Sequence, residues 1–347
     1  MQAAVLDSRR SLSIRELDDP PLRPGHVAVA PKAVGICGTD LHVYLGTMEH
    51  RVAYPAVLGH EFAGLVVEVA DEVEDLEPGQ PVVVDPVLPC GRCRQCAEGR
   101  HNVCRRLTVI GIDCHGGMCQ RAVVPAPCVH PFPASVPIHF GAMAELYSVG
   151  VHASRRTGIE AGDFVVILGA GKLGLTLLDV MRLSPARTIV SVDVDPFRLE
   201  VARQLGADLA LDPRRAPIVD EVARLTDGRG ADKVVEAVGH PVAVEGQGTP
   251  VQQAFETVRP GGQVTVMGQG EQTEEVFWRE FVLKEATVVT SRLNLGDFPR
   301  AIEFLESGRV HPQHIITHRV PLAEAPQAFA DLAAGTEGLI KVVVEIS

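Results

Sequence analysis

Four cysteines stand close together in the segment CGRCRQCAEGRHNVC, and they are Cys90, Cys93, Cys96 and Cys104. Thiolates at this spacing can close tetrahedrally on one zinc ion, and such a site is structural because protein fills every coordination position. One alternative is four uncoordinated thiols, which rarely occur at such spacing in a reducing compartment. A nucleic-acid zinc ribbon is another, since it shares the spacing. We expect a structural zinc in a lobe at residues 88–106.

A second set of metal-binding side chains is spread along the first part of the chain. Cys37 lies in GICGTDLH, His60 and Glu61 lie in VLGHEFAG, and Glu145 lies in AELYSVGVHA. A thiolate, an imidazole and a carboxylate form a mixed donor set that leaves room on a metal for water or substrate. Taken singly, a cysteine or histidine in an apolar stretch is more often a core residue. Glu61 differs, because an acid at the start of an apolar run needs a partner if it is buried.

A glycine-rich turn follows the apolar run FVVIL and precedes an amphipathic segment; its residues are Gly169, Gly171, Lys172, Leu173 and Gly174. Glycines here let the backbone approach a pyrophosphate, whose charge meets the N-terminus of the following helix. A second apolar run, TIVSVDVD, places Asp193 about 20 residues beyond the last glycine. A carboxylate there accepts hydrogen bonds from ribose hydroxyls and repels a 2′-phosphate, and Asp195 adds charge nearby, so NAD is favoured over NADP. A solvated turn acid is the alternative for Asp193.

The elements that must position these residues differ along the chain. Short β-rich runs separated by Pro, Gly and Asp begin at His26, Glu61, Gln80 and Cys119, and they predict an irregular β domain. From about residue 142 apolar strands alternate with helical segments, which predicts a parallel sheet with crossover helices. Two amphipathic helices and a closing strand, LIKVVVEIS, follow. We therefore expect an α/β protein with a β-rich domain at 1–149 and 293–347 and a nucleotide-binding domain at 150–292.

Composition limits the classes of function. The chain has 347 residues, of which 46% are hydrophobic and 22% charged, so it is long enough for two globular domains and is not mainly disordered. A formal charge of -12 disfavours nucleic acid and anionic membranes as partners. No apolar run of about 18 residues and no signal-peptide pattern is visible. These features predict a cytoplasmic protein that acts on a small-molecule substrate.

The order of these motifs resembles that of the zinc-dependent medium-chain dehydrogenase/reductase family over nearly the whole chain. The shared motifs are GICGTDLH, GHE, the four-cysteine lobe, E-x-x-S-V-G-V-H-A, GAGKLG and V-D-x-D-x-x-R-L. The resemblance implies a GroES-like catalytic domain and a Rossmann coenzyme domain, with active-site zinc in the cleft between them. It further implies two zinc ions per chain, NAD as coenzyme, and a homodimer or homotetramer.

The resemblance also implies roles for individual residues. Cys37, His60 and Glu61 match the catalytic zinc ligands of the polyol and threonine dehydrogenase branch, and Glu145 matches a third ligand or an acid linked to the metal through water. Thr39 and His42 match a relay that carries the alcohol proton outward. Arg198 matches the basic residue that lies five positions after the ribose-binding acid.

The segment from Ser291 to Asn294 is similar to that of aldonate-oxidising members of the family, such as L-gulonate and L-galactonate 5-dehydrogenases. The pocket implied by the resemblance includes Tyr44, Arg292 and Asn294, with Arg292 as a candidate to bind a carboxylate. We expect oxidation of a secondary alcohol of an aldonate, or of a polyol such as sorbitol, to a ketone by NAD+. The alternatives are an L-threonine 3-dehydrogenase, a butanediol or other secondary-alcohol dehydrogenase, a zinc-free quinone reductase and a non-catalytic relative.

Overall fold

The structure is a computed structural model that describes residues 1–240, 244–270 and 272–347. These residues form two compact units: the first contains Met1–Ser148 and Leu293–Ser347, and the second contains Val149–Arg292. In the described ranges, each helix is too short or too polar to cross a membrane.

The strands of the described residues are numbered in chain order. They are β1 (Gln2–Ser8), β2 (Ser11–Glu16), β3 (His26–Gly35), β4 (Ala56–Val57), β5 (Glu61–Val69), β6 (Pro81–Val84), β7 (Val87–Leu88), β8 (Thr108–Val109), β9 (Ala122–Pro125), β10 (Val129–Pro131), β11 (Phe164–Leu168), β12 (Thr188–Val192), β13 (Leu209–Leu211), β14 (Ala231–Glu236), β15 (Val258–Val266), β16 (Thr287–Thr290), β17 (Ile316–Pro321) and β18 (Lys341–Glu345).

The α-helices are numbered in the same way. They are α1 (Gly38–Leu45), α2 (Arg94–Ala97), α3 (Ile138–Gly141), α4 (Ala144–Thr157), α5 (Lys172–Met181), α6 (Pro196–Gln204), α7 (Ile218–Leu225), α8 (Pro250–Thr257), α9 (Trp278–Lys284), α10 (Phe298–Glu306), α11 (Pro312–Ile315) and α12 (Ala325–Ala334).

The first unit is built on a seven-stranded sheet in the order β10-β6-β5-β3-β18-β17, with β9 also paired to β3. Its strands pair antiparallel except for β17 and β18, which are parallel. Pro31 lies within β3 and pairs with Gly64 on β5, and the register between the two strands shifts just after it, where proline cannot donate to the ladder. A smaller sheet has the order β2-β1-β4, and β7 pairs with β8 next to the cysteine lobe.

The register at the centre of this sheet places distant parts of the sequence side by side. Gly35 on β3 pairs with Glu61 on β5 and with Val343 on β18. Paired residues point their side chains to the same face, and residues two apart on a strand share a face. The side chain of Lys341 therefore shares a sheet face with that of Glu61.

The second unit is a six-stranded sheet in the order β13-β12-β11-β14-β15-β16, and every pair in it is parallel. The chain moves outward from β11 in one direction and then restarts at β14 on its other side, which is the topology of a Rossmann sheet with its switch point between β11 and β14. All five residues of β11 are buried, as expected for a strand covered on both faces. The two units confirm the predicted α/β fold class.

Candidate functional site

The four cysteines of the lobe lie together. Their sulfur atoms are all within 4.8 Å of one another. The Sγ of Cys93 lies 3.5 Å from that of Cys96 and 3.8 Å from that of Cys104. Thiolates bound tetrahedrally to zinc at about 2.3 Å are separated by about 3.8 Å. All four are free of disulfides, so this cluster fits a closed, structural zinc site.

The backbone of the lobe is arranged for negatively charged sulfur. The N–H of Arg106 donates to the Sγ of Cys104 at 3.3 Å. Hydrogen bonds from the backbone of Arg105 and Cys96 lower the pKa of Cys93 to about 6, whereas burial raises the pKa of Cys96 to about 12. Zinc binds thiolates, so its binding would displace the thiol protons that remain.

A second cluster lies in the first unit and consists of Cys37, His60 and Glu61. Their candidate ligand atoms lie within 4.8 Å of one another, close enough for one ion to reach all three. Cys37 immediately precedes α1, and His60 and Glu61 stand at the start of β5, which is how residues far apart in sequence meet. Sulfur, nitrogen and carboxylate oxygen are donors that zinc accepts, and three of them leave a coordination position open.

Asp40 orients this cluster, although the sequence analysis did not identify it. Its buried carboxylate accepts the N–H of Cys37 at 2.7 Å and lies 3.2 Å from Nδ1 of His60. Because a carboxylate only accepts, we assign the proton of His60 to Nδ1, which leaves Nε2 to bind a metal. Burial opposes both charges, yet the attraction between the two groups lowers the pKa of Asp40 and raises that of His60. The sequence feature that could have identified Asp40 is its position in the first turn of a helix, three residues after Cys37.

Lys341 is the partner that a buried Glu61 requires. Its Nζ forms an ion pair with Oε2 of Glu61 and donates to the carbonyl of Ile36 at 3.3 Å. Both charged side chains are 0% exposed. In the part of the chain that the structure describes, Oε1 of Glu61 is buried and has no hydrogen-bond partner. A buried oxygen in this state is costly unless it binds something, and this favours a metal at the mixed cluster.

Two further acids lie in the first unit. Burial raises the pKa of Glu145 to about 7, and the charges of Glu61 and Asp85 add to that rise, while His60 opposes it. The Oδ1 of Asp85 accepts the N–H of Val87 at 3.0 Å, and burial raises the pKa of this aspartate to about 6. Both groups can therefore change protonation near neutral pH.

Asp85→Asn is expected to raise the free energy of unfolding at about pH 8 by about 2 kcal/mol. In the parent the unfolded chain releases this proton near the ordinary aspartate pKa, whereas the folded chain holds it until about pH 6. Ionisation of Asp85 therefore destabilises the fold as pH rises through this window, and asparagine removes the charge while keeping an acceptor for the N–H of Val87. Urea unfolding at about pH 5 and about pH 8 measures the effect, which should be smaller at the lower pH. Equal stability of parent and variant at both values would contradict it, and exposed Asp71→Asn is the control.

Helix α1 carries the two residues of the expected proton relay. The Oγ1 of Thr39 lies 3.9 Å from the Sγ of Cys37, so its hydroxyl is beside the mixed cluster. His42 follows three positions later, is exposed, and has its Nδ1 3.0 Å from the Oγ1 of Thr47. Residues three apart on a helix share a side. The helix thus places a hydroxyl near the cluster and an imidazole at the surface.

The residues expected to bind substrate have different surroundings in the two units. Tyr44 is 8% exposed and packs its ring against Phe329, with the centroids 5.4 Å apart, in the core of the first unit. Asn294 is buried, and its amide donates to Asp85 at 3.2 Å. Arg292 is exposed and belongs to the second unit. Tyr44 thus packs in the core and Asn294 supports Asp85, and their contact with substrate stays a prediction.

The glycine-rich turn of the second unit has the geometry of a dinucleotide-binding loop. Gly169 has φ +98°, a left-handed conformation that favours glycine. A Cβ on Gly174 would collide with the carbonyl oxygen of Gly169, so this glycine allows α5 to pack closely on the turn. A Cβ on Gly171 would meet open space, and Lys172 and Leu173 form the first turn of α5 behind it. Open backbone at a helix N-terminus fits a pyrophosphate.

Asp193 lies immediately after β12 and holds the same loop. Its Oδ2 accepts the N–H of Ala170 at 2.7 Å, and its Oδ1 accepts the N–H of Asp195 at 2.9 Å. The Nη1 of Arg198 lies 3.8 Å from Oδ2. Asp193 and Arg198 border a cavity of about 170 Å³ whose other walls include Val238. A carboxylate has further lone pairs, so Asp193 remains able to accept ribose hydroxyls.

Known proteins match the chain over both units. The family profile for the alcohol dehydrogenase GroES-like domain matches residues 23–134, and the profile for zinc-binding dehydrogenase matches residues 173–307. Sorbitol dehydrogenase of Bacillus subtilis (strain 168) is 31% identical and aligns with 99% of this chain and 97% of its own. L-threonine 3-dehydrogenase of Pyrococcus abyssi is 33% identical, with 94% and 93% covered.

A solved structure gives the same result in three dimensions. The alcohol dehydrogenase RspB of Escherichia coli CFT073, complexed with NADH, superposes with a TM-score of 0.91 at 30% identity and covers 99% of both chains. The agreement spans the GroES-like unit, the Rossmann unit and the residues between the matched profiles. The chain therefore belongs to the zinc-dependent medium-chain dehydrogenase/reductase family, in the branch of the polyol and threonine dehydrogenases.

Proposed function

We propose that this enzyme oxidises a secondary alcohol of a polyhydroxylated substrate to a ketone, with NAD+ as hydride acceptor and zinc held by Cys37, His60 and Glu61. The observation that carries the proposal is the mixed cluster itself, in which a buried oxygen of Glu61 has no hydrogen-bond partner among the described residues. Three protein ligands leave a position for a substrate hydroxyl. The likeness to sorbitol dehydrogenase supports a polyol as substrate.

Each residue of the site would have its own role in the reaction. Cys37, His60 and Glu61 would hold zinc, which would lower the pKa of a substrate hydroxyl bound to it. The hydroxyl of Thr39 accepts the substrate proton and passes its own proton towards His42, which exchanges it with solvent. Asp40 fixes the ring of His60 through Nδ1. Glu145 would act beside the metal, linked to it through water, so that the open coordination position stays free for substrate.

The charge of the site favours a neutral polyol over an aldonate. Three carboxyl groups are buried in the first unit beside the buried ammonium of Lys341, and a fourth, that of Asp85, is half-buried; the buried ones are Asp40, Glu61 and Glu145. A zinc ion and Lys341 would balance the charges of Cys37, Asp40 and Glu61. The ionised fractions of Asp85 and Glu145 would then leave the site negative, and this disfavours an anionic substrate. Sorbitol is therefore the first candidate. Aldonates such as L-gulonate and L-galactonate are the second.

Values of kcat/KM with NAD+ test this proposal on sorbitol, L-gulonate, L-galactonate, L-threonine, 2,3-butanediol and a primary alkyl alcohol. We expect the polyol to be the best substrate, because each buried polar group left without a matching hydroxyl costs about 1–3 kcal/mol. If threonine gave the highest kcat/KM, the protein would be an L-threonine 3-dehydrogenase instead. A primary alcohol as best substrate would overturn the proposed substrate class. Absence of turnover with every alcohol, in protein loaded with zinc and NAD+, would indicate a non-catalytic relative.

Asp193→Ser is expected to narrow the preference for NAD+ over NADP+ by about 1–3 kcal/mol, because a charged acceptor of ribose hydroxyls is lost and a 2′-phosphate is no longer repelled. The ratio of kcat/KM for the two coenzymes measures it. Asp193 also accepts the N–H of Ala170, so the control is Asp193→Asn, which keeps the shape and one acceptor but loses the charge. Both variants should shift the ratio; an unchanged ratio in both would argue against coenzyme selection by Asp193.

We also propose that the chain assembles as a homodimer or homotetramer. Four large apolar side chains at α9, which are 61–72% exposed, form a patch in the second unit: Phe277, Trp278, Val282 and Leu283. The neighbouring strand β16 is the edge of the parallel sheet. An exposed apolar patch beside an unpaired edge is typical of an interaction surface. Sedimentation should give a multiple of the 37.2 kDa chain mass, whereas a monomer at high concentration would exclude this assembly.

A further inference from the structure

A fully buried ion pair crosses the central sheet of the first unit. Lys341 is the first residue of β18, and its ammonium contacts Oε2 of Glu61 and the carbonyl of Ile36. Valines follow it at 342, 343 and 344, so the strand is otherwise apolar. Lysine is almost never fully buried unless it is paired. Well-packed apolar residues often replace such a pair at no cost in stability. Stability alone therefore does not explain Lys341, and its role is to act on the carboxylate of Glu61.

The central strand makes room for this pair. Gly35 on β3 stands between Glu61 on β5 and Val343 on β18. A Cβ on Gly35 would collide with Oε2 of Glu61 and lie 2.8 Å from Cε of Lys341. Gly35 does not have a positive φ, so its backbone would accept other residues. The requirement for glycine at this position is therefore space for the ion pair.

The pair leaves Glu61 with two unequal oxygens. Lys341 holds Oε2, and Oε1 is the buried oxygen without a hydrogen-bond partner in the described ranges. A carboxylate held in this way offers a metal one oxygen. Without the ammonium, both oxygens would be available, and the site would carry one more uncompensated negative charge. A second oxygen on the metal would occupy the coordination position that a substrate hydroxyl needs.

We propose that Lys341 is a positioning residue that restricts Glu61 to one metal-binding oxygen, Oε1, and thereby keeps a coordination position open for substrate. The inference rests on the proposed function, because it takes Cys37, His60 and Glu61 as the metal site. Lys341 itself acts only through Glu61. Its positive charge weakens the carboxylate of Glu61 as a metal ligand, and its hydrogen bond fixes the orientation of that carboxylate.

The test compares zinc-loaded parent protein with Lys341→Met and Lys341→Arg. The readouts are the rate of zinc release to a chromogenic chelator, the visible spectrum of the Co2+-substituted protein, and kcat with KM. In Lys341→Met we expect the more labile zinc to leave about 10-fold more slowly, because a nearby positive charge is lost and a second carboxylate oxygen becomes available. The Co2+ spectrum should show a higher coordination number, and kcat should fall. Lys341→Arg keeps the positive charge, so this variant should release zinc at a rate close to that of the parent.

A second pair of variants keeps the proposal testable if Lys341→Met does not fold. Glu61→Gln alone and Glu61→Gln with Lys341→Met should release zinc at the same rate, because Lys341 acts through the carboxylate, and unequal rates in this pair would overturn the proposal. Zinc release from Lys341→Met that equals or exceeds the parent rate, with the parent Co2+ spectrum, would overturn the proposal. A parent protein that binds one zinc ion per chain when fully loaded would instead refute the metal site, and with it the proposed function.

Discussion

Cys37→Ser is expected to remove one of two zinc ions per chain and to lower kcat/KM by about 10³-fold or more, which corresponds to several kcal/mol of lost metal assistance. A serine hydroxyl stays protonated near neutral pH, so it does not replace a thiolate as a zinc ligand. The four-cysteine cluster lies elsewhere in the chain and shares no ligand with the mixed cluster. The fold and the structural zinc should therefore survive the change.

Metal analysis, circular dichroism and NAD+ reduction on the same sample measure this result. Cys114→Ser is the matched control, because Cys114 is exposed and belongs to neither cluster. Mild chelation of the parent should reproduce the variant, since an open site with three protein ligands releases zinc more readily than a closed one. A Cys37→Ser protein with two zinc ions and full activity would contradict the assignment, as would activity that survives removal of the more labile zinc.

The second unit could be predicted in most of its elements because the necessary signals are local. Apolar runs such as FVVIL and TIVSVDV became β11 and β12, and GAGKLG became the turn into α5. The order of the strands in the sheet cannot be predicted from local sequence signals. It depends on the handedness of crossovers and on which strand continues the sheet after the switch point. The alternation of strands and helices in the sequence predicted only the fold class that contains this order.

The two metal clusters show the same limit at the level of single residues. The four lobe cysteines lie within one short segment, so their spacing alone indicated zinc. Cys37 and His60 are far apart in sequence, so their residue types indicated only a possible mixed donor set, and the family resemblance assigned them to one zinc ion. The ion pair of Lys341 with Glu61 spans 280 residues and exists because β18 and β5 flank β3. Sequence reasoning could state that a buried Glu61 needs a partner, but the sheet order decides which residue is that partner.

Polar side chains assigned to the substrate pocket show why side-chain direction is hard to predict. Tyr44 follows Thr39 and His42 on α1, but its ring packs against Phe329 in the core. Asn294 stays a predicted hydrogen-bonding group for substrate, and its amide also donates to Asp85. In both cases the sequence indicated a polar residue near the site. The neighbours that satisfy or bury it come from other elements, and these become known only with the tertiary fold.

His42→Ala is expected to slow alcohol oxidation by about 10²-fold, with the largest loss at low pH. At low pH few hydroxyl protons leave unaided, so alkoxide formation depends most on assisted proton removal. The structure fits this role, since His42 is exposed and stands one helical turn after Thr39, whose hydroxyl lies 3.9 Å from the sulfur of Cys37. The measurement is kcat for variant and parent from about pH 6 to about pH 9, across the range where an imidazole ordinarily changes charge.

His50→Ala is the matched control, because His50 is also an exposed histidine of the first unit but lies outside α1. A relay through His42 predicts that the ratio of parent to variant rate falls as pH rises, since hydroxide in bulk solvent increasingly replaces the imidazole as proton acceptor. A constant ratio over the whole range would show that the proton leaves by another path. The other path can be distinguished as well: if it runs through Glu145, whose pKa is about 7, then Glu145→Gln should remove the pH dependence that His42→Ala leaves intact.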